Sequence, residues 1–285
     1  MRKISKPSVI GDALQVYKAC VKEYSSKSTR DELSAYENKV DLVSKDYDRY
    51  MPDEFDKIAH PSVTKSETDV MKSVYEYRFV EKRCGGFYDK ILANVNHICP
   101  FCGEGRPMNL DHFLPKMEYP FLVVTPENLV PSCRDCNMDK NDARPTCNEE
   151  VPLHPYYDDI SLIWLEVKLD YSYRDILIFD FYNNLNIVTE PILFKRINVH
   201  MSIHGLKANF ESHATSEINS KKRNHLRFLK NGVYSLRTEL QGELDSCEAE
   251  DINSWRSALY RELLRNIDKY SDWLKRLSCS TSVMP

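Results

Sequence analysis

Cys99-Pro100-Phe101-Cys102-Gly103, Leu110-Asp111-His112-Phe113-Leu114-Pro115-Lys116 and Ser132-Cys133-Arg134-Asp135-Cys136-Asn137 belong to one stretch, and it decides how the chain is read. Its two C-x2-C pairs are separated by 30 residues. Four thiolates satisfy tetrahedral Zn2+, and a two-residue spacer lets one tight knuckle present both sulfurs to the metal. Gly103 supplies the turn residue of the first knuckle, and 132–137 has the form of a helix start. A structural zinc at Cys99, Cys102, Cys133 and Cys136 is therefore expected. Redox use of either pair is the alternative, and no thioredoxin-like βαβ pattern supports it. Cys20, Cys84, Cys147, Cys247 and Cys279 are spaced singly and read as small buried hydrophobes.

Working outward, prolines at 100, 107, 115, 120, 126, 131 and 145 forbid long helices until about Arg134, so metal substitutes there for a large core. Residues 1–96 read as helical, with apolar three- and four-residue steps over 13–27 and 31–51. Pro52 stops the second helix. A third starts at Ser66-Glu67-Thr68-Asp69, which has capping-box spacing, and Gly85-Gly86 breaks the chain before a helix over 87–95. After Pro155, residues 165–171 and 175–182 alternate as a hairpin pair. Helices are predicted over 190–202, 206–219, 222–243 and 252–277. The fold class is mainly α with a small zinc-stabilised module and a minor β hairpin after it, in three segments: 1–96, 97–150 and 151–285.

Composition narrows the function classes. The 285 residues carry 39 Lys+Arg and 43 Asp+Glu, net charge −4, with 42% hydrophobic residues, the mixture of a soluble globular protein. Only 8 glycines are present, where average usage gives about 20, which argues against a propeller, a large barrel or a dinucleotide-binding fold. No apolar run is long enough to span a membrane. The basic start, Met1-Arg2-Lys3-Ile4-Ser5-Lys6-Pro7, lacks the apolar stretch of a signal peptide, so a cytoplasmic location is expected. Residues 97–194 hold 7 basic and 16 acidic side chains, which weighs against strong autonomous DNA affinity. One basic run, Lys221-Lys222-Arg223-Asn224-His225-Leu226-Arg227-Phe228-Leu229-Lys230, is either a solvated helix face or a phosphate-binding one.

Chemistry concentrates between the cysteine pairs. Asp111 and the carboxamide of Asn137 offer hard oxygen ligands for Mg2+ or Mn2+. His112 titrates near neutrality and is placed to deprotonate a water. Lys140, one turn after Asn137, shares its helix face and can meet phosphate charge, with Lys116 and Arg134 as further candidates. His154, in Pro152-Leu153-His154-Pro155, either reaches back to this site or is a structural histidine. The remaining histidines, His60, His97, His200, His204, His213 and His225, have no partner at ligand spacing and read as ordinary.

The ordered set C-x2-C, Asp-His, Asn, C-x2-C, Asn-x2-Lys over about 98–145 resembles the ββα-metal module of the HNH endonucleases, in its zinc-knuckle form. The resemblance implies that Asp111 and Asn137 bind the catalytic metal and His112 is the general base. It implies that Asn128 fastens the loop that aims His112. Asn137 stands where many members carry the last His of the name. Flanking residues, including Leu153-His154-Pro155-Tyr156 and Asn253-Ser254-Trp255, resemble bacterial HNH proteins encoded beside an ATPase, the type found in Septu and some retron anti-phage systems. That implies a nuclease of DNA or tRNA held by an ABC-type ATPase partner. Two other functions are consistent with the residues: a stand-alone restriction or mobile-element nuclease, and a non-catalytic zinc-knuckle binding module.

Overall fold

The computed structural model describes residues 1–7, 11–141 and 143–278, so Cys279 lies outside the described residues. The chain divides into two compact units. The first is Met1–Asp159 with Lys195–His204; the second is Ile160–Phe194 and the residues from Gly205 onward. These do not coincide with the three sequence segments, because one core runs from Ala13 to Tyr156 and joins the N-terminal helices to the cysteine stretch.

The first unit begins with α1 (Ala13–Lys22), capped by Asp12, whose carboxylate accepts from the Gln15 N–H at 2.8 Å. The helix expected over 13–27 ends early, since Ser26 caps a separate α2 (Lys27–Ser34). α3 (Glu37–Tyr50) buries Val40, Val43 and Tyr47 and stops before Pro52. α4 (Lys65–Ser73) has its capping box two residues earlier than predicted: Thr64 accepts from Glu67 N–H at 3.2 Å, and Glu67 accepts from Thr64 N–H at 2.9 Å. It runs directly into a π-helical segment, Val74–Glu81. Gly85 and Gly86 then take φ values of 60° and 66°, a left-handed turn that side chains disfavour, and α5 (Phe87–Leu92) follows.

Two short strands come next, β1 (Asn109–His112) and β2 (Leu129–Ser132), antiparallel with His112 opposite Leu129 and Asn109 opposite Ser132. α6 (Arg134–Lys140) starts one residue after the second strand and opens from the second cysteine pair, as the proline pattern required. The chain returns to this unit through α7 (Pro191–Ile203). Arg196 on α7 is buried and grips Asp158 with two bonds, of 3.0 and 2.6 Å, and donates to the Val151 carbonyl at 3.0 Å.

The second unit holds a hairpin, β3 (Leu165–Asp170) and β4 (Ile178–Asn183), close to the predicted pair. Among the described residues its sequence after Gly205 forms α8 (Leu206–Lys230), α9 (Val233–Glu250), α10 (Trp255–Arg265) and α11 (Ile267–Ser278). The expected break near 220 is absent. The basic run continues α8 without interruption, and Asn231-Gly232 makes the turn instead. A break at Asn266 splits the predicted helix over 252–277. Asn253 ties strand to helix: its Oδ1 accepts from Trp164 N–H at 2.8 Å and Leu165 N–H at 3.3 Å, and its Nδ2 donates to the Leu162 carbonyl at 2.9 Å. No helix among the described residues is long and apolar enough to cross a membrane.

Candidate functional site

The four cysteine sulfurs of Cys99, Cys102, Cys133 and Cys136 lie within 4.8 Å of one another, and Cys102 and Cys133 stand 3.9 Å apart. Tetrahedral zinc with bonds near 2.3 Å separates its sulfurs by about 3.8 Å, so the cluster could hold a zinc. Gly103 turns at a φ of 77°, as the knuckle reading expected, while Gly105 was missed. A Cβ on Gly105 would fall 2.7 Å from Cys133 Cβ and 2.8 Å from its sulfur, and the Gly105 N–H donates to Cys102 Sγ at 3.3 Å. Its signal in the sequence was a second glycine two residues after the first.

Two of the histidines read as ordinary support this cluster, His200 from α7 and His204 from the turn just after it. His200 Nε2 donates to the Phe101 carbonyl at 3.1 Å, and His204 Nδ1 donates to the Cys136 carbonyl at 3.2 Å. The carbonyls can only accept, which fixes both tautomers. The His204 ring also stacks on Phe101, centroids 4.4 Å apart. Burial keeps both rings neutral, pushing His204 down to about 3 and His200 well below its usual value. The i, i+4 spacing of the pair was the available signal.

Beside the cluster opens a cleft of about 710 Å3. Asp111, His112, Lys116 and Asn137 line it together, so four of the residues singled out in the sequence converge on one space. His112 Nε2 donates to the Val123 carbonyl at 2.9 Å, leaving Nδ1 with the lone pair. Burial pushes the imidazole down to about 3, and the charges of Lys116 and Lys140 act in the same direction against the raising effect of that hydrogen bond. At neutral pH the ring is an uncharged acceptor, rather than one titrating near neutrality as its unperturbed value suggested. Tyr75, which the sequence did not single out, packs edge-on to it at 4.4 Å and donates to the Leu110 carbonyl at 3.3 Å.

Asn128 is fully buried and clamps the loop that carries His112. Its Oδ1 accepts from Leu114 N–H at 2.8 Å, and its Nδ2 donates to the carbonyls of Leu114 at 3.2 Å and Leu122 at 3.4 Å. Leu114 lies two residues past His112, and Leu122 precedes the Val123 carbonyl that holds the ring. One carboxamide therefore fixes both sides of the histidine.

Several other placements differ from expectation. Lys140 is buried and bridges Asp111 Oδ2 at 3.2 Å and the His112 carbonyl at 2.7 Å. An ammonium so enclosed neutralises Asp111 and does not meet a phosphate. His154 is wholly buried with its Nε2 2.8 Å from the Tyr47 hydroxyl and its ring against Phe113 at 3.9 Å, so the structural alternative is the observed one. Arg134 is exposed on the first turn of α6 and does not line the cleft. Lys221, Lys222, Arg223, Arg227 and Lys230 belong to α8 of the second unit, and none of them lines the cleft; Lys221 pairs with Glu243.

Over 116 residues the chain is 39% identical to protein ea31 of Escherichia phage lambda, covering 39% of this chain and 38% of that protein. Over 55 residues it is 44% identical to the Septu protein PtuB of Bacillus thuringiensis, covering 18% of this chain and 21% of that protein. The matches thus span well under half the length of either relative. No family model and no solved structure matches the chain.

Proposed function

We propose that the protein is a metal-dependent endonuclease of the HNH type, acting as the effector of an anti-phage defence complex. The observation that carries this reading is the convergence of Asp111, His112 and Asn137 on one cleft at the end of a β-β-α arrangement, beside a four-cysteine cluster. In this reading zinc fills the cluster and has no open position, so its work is structural.

Asp111 and Asn137 would hold Mg2+ or Mn2+, since two hard oxygen donors leave the remaining positions to water and phosphate. The ion, when bound, supplies positive charge against the oxygens of the scissile phosphate. His112, neutral and presenting Nδ1, accepts the proton of the water that attacks phosphorus. A phosphate beside the ring raises its basicity from the depressed value of the buried free state. Asn128 holds the ring in place, and Lys140 orients Asp111. The segment shared with PtuB supports the defence role, and an ATPase partner would supply the substrate positioning that an acidic chain lacks. A second reading, a nuclease of a mobile element acting alone, is favoured by the longer match to a phage protein.

The test is cleavage. Purified protein is incubated with plasmid or tRNA and Mg2+ or Mn2+, with and without any ATPase that copurifies with it. His112→Ala is expected to lower the rate at least about a hundredfold while helicity and zinc content stay unchanged. Cleavage by neither form would leave only a binding module, and equal cleavage by both would remove His112 from the chemistry. Full activity without any partner would favour the mobile-element reading.

A further inference from the structure

One contact in the cleft is not required by the chemistry above. Among the described residues lining it, Lys116 is the one lysine or arginine, against the carboxylates of Glu76, Glu81 and Asp111. Lys116 is therefore the residue best able to meet a phosphate there, yet its ammonium is taken. Glu76 Oε1 lies 3.1 Å from Lys116 Nζ, and the Tyr75 ring lies 5.4 Å from the same nitrogen. Both partners come from the π-helical segment Val74–Glu81, which also brings Tyr77 and Val80 to the cleft wall. Wide turns of this kind re-aim side chains, and they recur at functional sites.

Glu76 also has somewhere else to go. The same oxygen is 3.9 Å from Lys72 Nζ, one helical turn earlier. The Lys116–Glu76 pair is part-exposed, and such pairs are weak and readily exchanged. A carboxylate lying between two ammonium groups, one in the cleft and one outside it, is a two-position element.

We propose that Glu76 is a latch, occupying on Lys116 the place of a substrate phosphate. A phosphodiester entering the cleft takes Lys116, and Glu76 moves to Lys72. The latch rests on the nuclease reading and adds regulation to it: empty, the cleft presents no uncompensated cation, so weak or stray anions are turned away. A polynucleotide, which brings several phosphates at once, opens it.

The experiment is a double-mutant cycle on binding, read by anisotropy with short fluorescein-labelled single-stranded DNA and RNA, without added Mg2+ or Mn2+. Wild type, Glu76→Gln, Lys116→Met and the double variant are compared, with Glu54→Gln as a control acid away from the cleft. Releasing Lys116 from its part-exposed pair should tighten binding about three- to fivefold in Glu76→Gln. In the Lys116→Met background the same change should alter affinity less than about twofold, because the latch has nothing to hold. Lys116→Met should also lower the salt-dependence slope by about 0.7, one phosphate contact on a single strand.

Equal tightening in both backgrounds would make Glu76 a simple repulsive charge and overturn the latch. No tightening in either would overturn it as well. Failure of every form, wild type included, to bind any probe would overturn the latch, while the nuclease reading is decided separately by cleavage in the presence of metal and partner. Tightening by Glu76→Gln in a protein that cleaves nothing would sustain the latch and overturn the nuclease.

Discussion

At the scale of single residues, the site depends on a few atoms with no slack. Gly105 is the plainest case, because its missing side chain is the space in which Cys133 sits. Gly105→Ala should displace the second knuckle and weaken zinc retention at least about tenfold against a chromophoric chelator, with loss of stability of about 1–3 kcal/mol from overpacking. Unchanged zinc release would show that the knuckle can shift to accept a methyl group. The cysteines, Asp111, His112, Asn128 and Asn137 could be found in the sequence because each carries its chemistry in its side chain and stands at a recognisable spacing. Gly105, Tyr75 and Val123 could not be found that way. One works by what it lacks, one by its ring position against His112, and one through a backbone carbonyl that any residue offers.

At the scale of elements, α7 and Asn253 show how long-range ties replace extended secondary structure. His200 and His204 bond the backbone of the two knuckles without approaching the sulfurs as ligands. His204→Ala should leave the four-sulfur coordination spectrum of the Co2+-substituted protein unaltered, while quickening metal loss about tenfold, as removal of a supporting group does at other metal sites. A changed ligand-field spectrum would instead make His204 part of the coordination sphere. In the second unit, Asn253→Ala would leave the Trp164 and Leu165 N–H groups without their acceptor, at about 2 kcal/mol in chemical denaturation. Element positions were largely legible from apolar periodicity and from the prolines. Boundaries were less so: Ser26, Thr64 and Asn266 each moved an end, through a cap or a local backbone break that three- and four-residue steps do not encode.

At the scale of the whole molecule, histidine burial sets the response to acid. His112 and His204 are pushed down to about 3, His225 to about 4, and His154 and His200 well below the ordinary value, in each case chiefly by burial. The unfolded chain binds protons near pH 6.5 and the folded chain does not, so stability is full above that value and falls as the pH drops below it. Each fully neutral histidine should forfeit about 2 kcal/mol by pH 5. Melting temperature should therefore decline steeply from pH 7 to 5, before most carboxylates titrate. His225, hydrogen-bonded to Tyr270 in the unit without the cysteine cluster, separates this effect from metal loss: His225→Gln should flatten the decline, and an unaltered slope would refute it. The threading of the chain has a different consequence. The first unit is interrupted after Asp159 and completed only by Lys195–His204. During synthesis the four cysteines emerge well before the two histidines that brace them, so the nascent metal centre is unbraced until the whole hairpin of the second unit has been made. No contiguous cassette ending at Asp159 contains the braced cysteine cluster, and any exchange of this unit between proteins must carry the chain through His204.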